Sequence, residues 1–158
     1  MAKWNWQIVT AGRFRLDGGS MFGVVPQVLW QKLVTPDTLN RVPLACHCLL
    51  LERDGVRVLI ECGYGTKMSE KERAIFALEE NLLRAGLEAA DISPDSISAV
   101  LLSHLHFDHA AGVSRYDREG NLVSTFPNAD IYVQKQEWKD ARADRSTMSK
   151  TYLRSTFE

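Results

Sequence analysis

The chain has 158 residues, of which 45% are hydrophobic and 25% charged, and its net charge is -1. That length supports one ordinary core, which predicts one domain. The absence of a basic excess argues against nucleic acid as a partner, and no segment approaches the roughly 18 to 20 apolar residues that cross a membrane. The opening stretch MAKWNWQIVTAGRF lacks the apolar core of a signal peptide, so the cytoplasm is the expected compartment.

The first forty residues read as strands and loops. WQIVTAGRFRLDGG alternates imperfectly and ends at Gly18 and Gly19, which predicts a hairpin there. MFGVVPQVLWQKL, broken by Gly23 and Pro26, reads as a loop with a short strand. Two β-branched-rich runs then flank Asp54-Gly55, a dipeptide suited to the positive backbone angles of a tight turn. Residues 44 to 52 and 56 to 62 are therefore expected to pair antiparallel. On such a strand Cys46 and Cys48 point to one face and His47 to the other, so the three do not converge on one ion. The two thiols read as small core residues, and three cysteines in all argue against a disulfide framework.

Ser69 followed by Glu72 forms a capping-box pattern, and Ile75, Leu78, Leu82 and Ala85 recur at helical spacing up to Gly86. This predicts one amphipathic helix over 70 to 85. Ser93-Pro94 begins a short helical turn. AVLL, 99 to 102, lacks alternation, as a strand covered on both faces would. After a polar loop through Gly120, FPNADIYVQ predicts a turn and another buried strand, KQEWKDARAD a helix, and the tail RSTMSKTYLRSTFE is polar and weakly patterned. An antiparallel meander followed by strand–helix alternation gives an α/β (α+β) class, with a mixed sheet and flanking helices.

The chemistry concentrates in LLSHLHFDHAAG, where three of the four histidines and one aspartate occupy six positions directly behind the AVLL strand. Residues two apart on an extended segment project to the same side, so His104 and His106 can address one ion, while Asp108 and His109 can turn toward a second. Imidazole and carboxylate suit zinc, and also iron or manganese. Without an ion, such crowding brings repulsion when the rings are protonated and little gain when they are neutral.

HLHFDH resembles the His-x-His-x-Asp-His signature of the metallo-β-lactamase superfamily. LIECGYGTK is similar to the glycine-containing loop of that family, and MFGVVPQVLW, NRVPLACHCLLLERDG and FPNADIYVQKQEW resemble a subgroup of metal-dependent hydrolases that includes quorum-quenching lactonases. The resemblance implies a four-layer αβ/βα sandwich with His104 and His106 on a first metal and Asp108 and His109 on a second. It implies that Glu61, standing where many members have aspartate, supports those ligands from behind. It further implies hydrolysis of a small acyl substrate (an ester or lactone) by water activated on two zinc ions, with Asp108 orienting the water. A glyoxalase-type thioesterase or a β-lactamase shares the signature, and a non-catalytic metal-binding module is the rival outside the enzymes.

In that family a third histidine, a bridging aspartate and a final histidine come from the second half of the domain. Residues 110 to 158 contain no histidine, and Asp117, Asp130, Asp140 and Asp144 do not stand in ligand-like contexts. The chain is therefore expected to be the N-terminal part of a longer enzyme, inactive alone and prone to self-association through an uncovered apolar face.

Overall fold

A computed structural model of the chain describes residues 3–80, 82–143 and 149–156. Strand β1 (Asn5–Asp17) runs straight into helix α1 (Gly18–Phe22), so no hairpin forms at Gly18 and Gly19. The Asp17 carboxylate accepts the Ser20 amide at 2.9 Å and caps the helix instead. The MFGVVPQVLW stretch holds no strand. It forms α1 and a second single turn, α2 (Gln27–Trp30), because Gly23 reverses the backbone with φ of 57° and Pro26 starts the chain again. Trp30 is buried and stacks on Phe22 at 4.8 Å, which anchors the segment to the body.

Strand β2 (Arg41–Arg53) pairs antiparallel with β1 along its full length, Asn5 facing Glu52 and Asp17 facing Arg41. Strand β3 (Val56–Ile60) pairs back on β2 through the expected turn, where Asp54 and Gly55 have φ of 52° and 81°. The predicted helix over 70 to 85 is interrupted. Helix α3 (Glu70–Ile75) starts at the full Ser69–Glu72 capping box, and helix α4 (Leu83–Ala89) carries Gly86 inside it rather than after it. Between them the chain lies along the edge of β1, Glu79 N–H donating to Arg13 O and Leu82 N–H to Ala11 O, and these bonds replace helical ones.

A 3₁₀ turn at Pro94–Ser96, capped by Ser93 as expected, leads into β4 (Ala99–Leu101), parallel to β3. Helix α5 (Phe107–Ala110) follows the histidine segment. The polar loop contains a small hairpin of β5 (Ser114–Tyr116) and β6 (Leu122–Ser124). Strand β7 (Asp130–Tyr132) joins parallel to β4, giving the order β1-β2-β3-β4-β7, and helix α6 (Lys135–Ala143) forms as predicted. The described part of the tail turns back on the body, with Tyr152 and Leu153 against the core.

The sheet buries one face. Leu50, Leu59 and Val100, facing one another across β2, β3 and β4, are at most 2% exposed and share a core with Leu83 and Leu87 of α4. The opposite face carries two apolar rows: Ile8, Leu49, Ile60, Leu101 and Tyr132 in one, and Trp6, Leu51, Val58 and Ala99 in the next. Trp6 is 69% exposed, Ile8 54% and Tyr132 53%. The expectation of strands covered on both sides is thus corrected for β4 and β7: nothing among the described residues lies over this face, and β7 is an edge strand.

Candidate functional site

Strand β4 ends at Leu101, and the chain crosses the C-terminal end of the sheet through Ser103 to His106 before entering α5. The His106 carbonyl accepts the His109 and Ala110 amides, so Asp108 and His109 are presented from the first turn of a helix rather than from a free loop. The ring centroid of His104 lies 4.5 Å from that of His106 and 4.1 Å from that of His109. Glu61, just past β3, occupies the left-handed region with φ of 65°. Its Oε1 accepts the Ser103 amide at 3.0 Å. Its Oε2 is buried and lies 3.2 Å from His109 Nδ1 in a geometry that falls short of a hydrogen bond.

The glycine-containing loop and the histidine segment are laced together. Cys62 N–H donates to His109 O, Gly112 N–H donates to Gly63 O, and the Cys62 thiol donates to His109 O at 3.1 Å. The half-buried Lys67 ammonium donates to Ala111 O at 2.7 Å and to both oxygens of Ser114, tying the far end of α5 to the same loop. Leu105 N–H, between the first two histidines, donates to Glu137 Oε1 of α6 at 2.8 Å.

The electrostatics follow from this crowding. The contact with Asp108, whose Oδ2 is 3.4 Å from Nε2, and then that with Glu61 raise the His109 imidazole to about 9. Burial and the neighbouring His109 and His106 lower His104. Burial would raise Asp108 and Glu61, but in each the interaction with His109 helps to overcome it, and both carboxyls stay below their ordinary values. Burial pushes the Cys46 and Cys48 thiols up to about 12, in keeping with inert core residues.

A cavity of about 320 Å³ opens beside Glu61, Asp108 and His109 and is walled by Phe14, Leu16, Met21 and Leu44, with Cys46 and His47 from the middle of β2. His47 points away from the buried Cys48, as strand alternation requires, and bonds Thr10 Oγ1 at 3.3 Å. The apolar stretch from Met21 to Trp30 reads from the sequence equally as a wall for an acyl chain or as core packing, and Met21 does line this cavity. His47, Glu137 and the other wall residues carry no such signal and come from elements far apart in the chain. His104, His106, Asp108, His109 and Glu61 do come together. Asp117 accepts backbone amides of its own turn and Asp140 pairs with Gln136, as surface residues would, while Asp144 lies outside the described residues.

The donor set of three imidazoles and a carboxylate, with a buried carboxylate oxygen lacking a hydrogen bond behind it, fits a divalent metal in chemical type and nearness. Its side-chain orientations are those of an ion-pair cluster. The His109 ring faces Asp108 and Glu61, and among the described residues no three His, Cys, Asp or Glu side chains stand as an ion-holding group.

A mixed sheet with helices on one face, and a histidine–aspartate segment at the C-terminal end of a central strand, define the class. The model of the metallo-beta-lactamase superfamily matches residues 41–148, and the chain belongs to that family. An N-acyl homoserine lactonase of Bacillus thuringiensis is 29% identical over 153 residues, covering 84% of this chain and 49% of that protein. The crystal structure of a probable metal-dependent hydrolase from Staphylococcus aureus, 34% identical, superposes with a TM-score of 0.86 over 97% of this chain and 55% of that one. AidC, a dizinc quorum-quenching lactonase, shares the fold at 23% identity and a TM-score of 0.68, over 93% of this chain and 46% of its own. The chain spans about half the length of these relatives.

Proposed function

We propose that this chain is the metal-bearing part of a hydrolase that cleaves an ester, lactone or related acyl bond, and that it is inactive by itself. The observation that carries the reading is the gathering of His104, His106, Asp108 and His109 with Glu61 beside an apolar-walled cavity. The lactonase relatives support the substrate class in this reading, and the dizinc character of AidC supports two zinc ions, with iron or manganese also suited to these donors.

His104 and His106 would hold a first ion, and Asp108 and His109 a second. Bound there, the metal supplies Lewis acidity, which lowers the pKa of water from 15.7 to roughly 7. Asp108, ionised at neutral pH, accepts a hydrogen bond from the attacking water and orients it toward the carbonyl. Glu61 holds His109 from behind and, through Oε1, fixes the Ser103 amide. Phe14, Leu16, Met21 and Leu44 exclude water and give an acyl chain an apolar wall. The two apolar rows on the open sheet face are the seat of the remaining layers of the sandwich, and the chain alone associates through them.

Two measurements on the purified chain test this. Calorimetric titration with Zn²⁺ is expected to give binding that His104→Ala and His106→Ala abolish; no uptake by the unsubstituted chain would defeat the reading. Zinc-loaded chain offered an N-acyl homoserine lactone is expected to show no turnover, and substantial hydrolysis would overturn the claim of inactivity alone.

A further inference from the structure

We infer that Glu137, together with Tyr152, is a positioning pair for the His104–His106 segment, an assignment that rests on the metal-site reading above. Strand β4 has ended at Leu101 and α5 begins only at Phe107, so no ladder or helix bond serves Leu105 N–H. Leu105 is buried, and its amide donates at 2.8 Å to a carboxylate 32 positions further along the chain. Burial, and then the charge of the same carboxylate, raise the Tyr152 hydroxyl above its ordinary value. Tyr152 forms an isolated antiparallel bridge with His106 and sets its ring edge-on to that imidazole, centroids 5.1 Å apart at 69°. One side chain of α6 thus holds the peptide between two imidazoles, and Tyr152 packs on the second of them.

The geometry gives this bond leverage. His104 and His106 share a side only while the residue between them stays extended. Fixing the Leu105 amide fixes the relative direction of both rings, whereas Ser103 Oγ, 2.9 Å from His104 Nδ1, steers only one. Outer partners of this kind orient metal ligands even though they never touch the ion.

The test uses the 158-residue chain and three variants, with two readouts: hydrogen exchange of the Leu105 amide by NMR, and Co²⁺ affinity from visible absorption. Glu137→Ala is expected to speed Leu105 exchange and weaken Co²⁺ binding about 10- to 100-fold, the range typical of lost outer partners. Glu137→Gln, which keeps the acceptor oxygen, is expected to restore both. Tyr152→Phe removes only a hydroxyl and carries the test if the alanine variant folds poorly; faster Leu105 exchange or weaker Co²⁺ binding in it supports the pair. Unchanged exchange and affinity in Glu137→Ala and Tyr152→Phe would overturn the inference, as would weakened Co²⁺ binding with unchanged Leu105 exchange. If the unsubstituted chain takes up no Co²⁺ while Leu105 exchange still responds to Glu137→Ala, the metal reading fails and the positioning contact stands.

Discussion

Gly112 sets how closely the two site loops approach. A Cβ at this position would collide with the carbonyl oxygen of Cys62, and Cys62 is itself held by the hydrogen bond its N–H donates to His109 O. Gly112→Ala therefore forces the loops apart, and we expect a loss of about 1 to 3 kcal/mol, read from urea midpoints. Lys67 gives a pH signature. Burial lowers its amine from 10.5 to about 8, so between these values the unfolded chain holds a proton that the folded chain has released. Stability from this group accordingly rises as pH is raised from 8 toward 10.5, and is lost as pH falls back through 8. Lys67→Met is expected to flatten that part of the stability–pH curve, measured by urea unfolding at pH 8 and pH 10. Among the residues, the HLHFDH cluster was legible because its members are adjacent. Glu137 and His47 were not, because nothing local separates a partner of the site from an ordinary surface side chain.

At the level of elements, short-range signals held and longer periodicities yielded. The Ser69–Glu72 capping box forms as read, and Ser69→Ala is expected to cost about 1 kcal/mol through the loss of that cap, seen as a lower thermal midpoint. The helix it starts stops at Ile75 although apolar spacing continues, because the edge of β1 offers backbone partners to Phe76, Glu79 and Leu82. Tyr64 strengthens that choice, its single hydroxyl proton lying within reach of the carbonyls of Arg13, Glu79 and Glu80. Helix α4 then packs on β1, with Gly86 against Val9 and Thr10, and Leu87 of the same helix is fully buried. Leu87→Ala should cost about 2 to 5 kcal/mol by denaturant unfolding, far more than the exposed Ile75 at the end of α3 would.

At the scale of the whole molecule, one sheet face is closed by helices and the other is open. An exposed apolar face five strands wide, bordered by the edge strand β7, favours association. Sedimentation velocity is expected to show concentration-dependent oligomers of the chain, and the double substitution Trp6→Glu and Ile8→Lys should shift it toward monomer while leaving the buried face intact. A monomer at all concentrations before substitution would count against the open face as a docking seat.

The sequence by itself determined the β2–β3 hairpin, the Ser69–Glu72 and Ser93 caps, the metal-type donor cluster and the family resemblance. Each of these is written in residues a few positions apart, whose spacing fixes local geometry. Only the tertiary structure decided which sheet face is covered, where the long helical pattern breaks, and that Glu137 meets the histidine segment while His47 lines the cavity beside it. Those outcomes depend on contacts between residues tens of positions apart, and a hydrophobic strand reads the same whether its second face is already covered or still waiting for a partner.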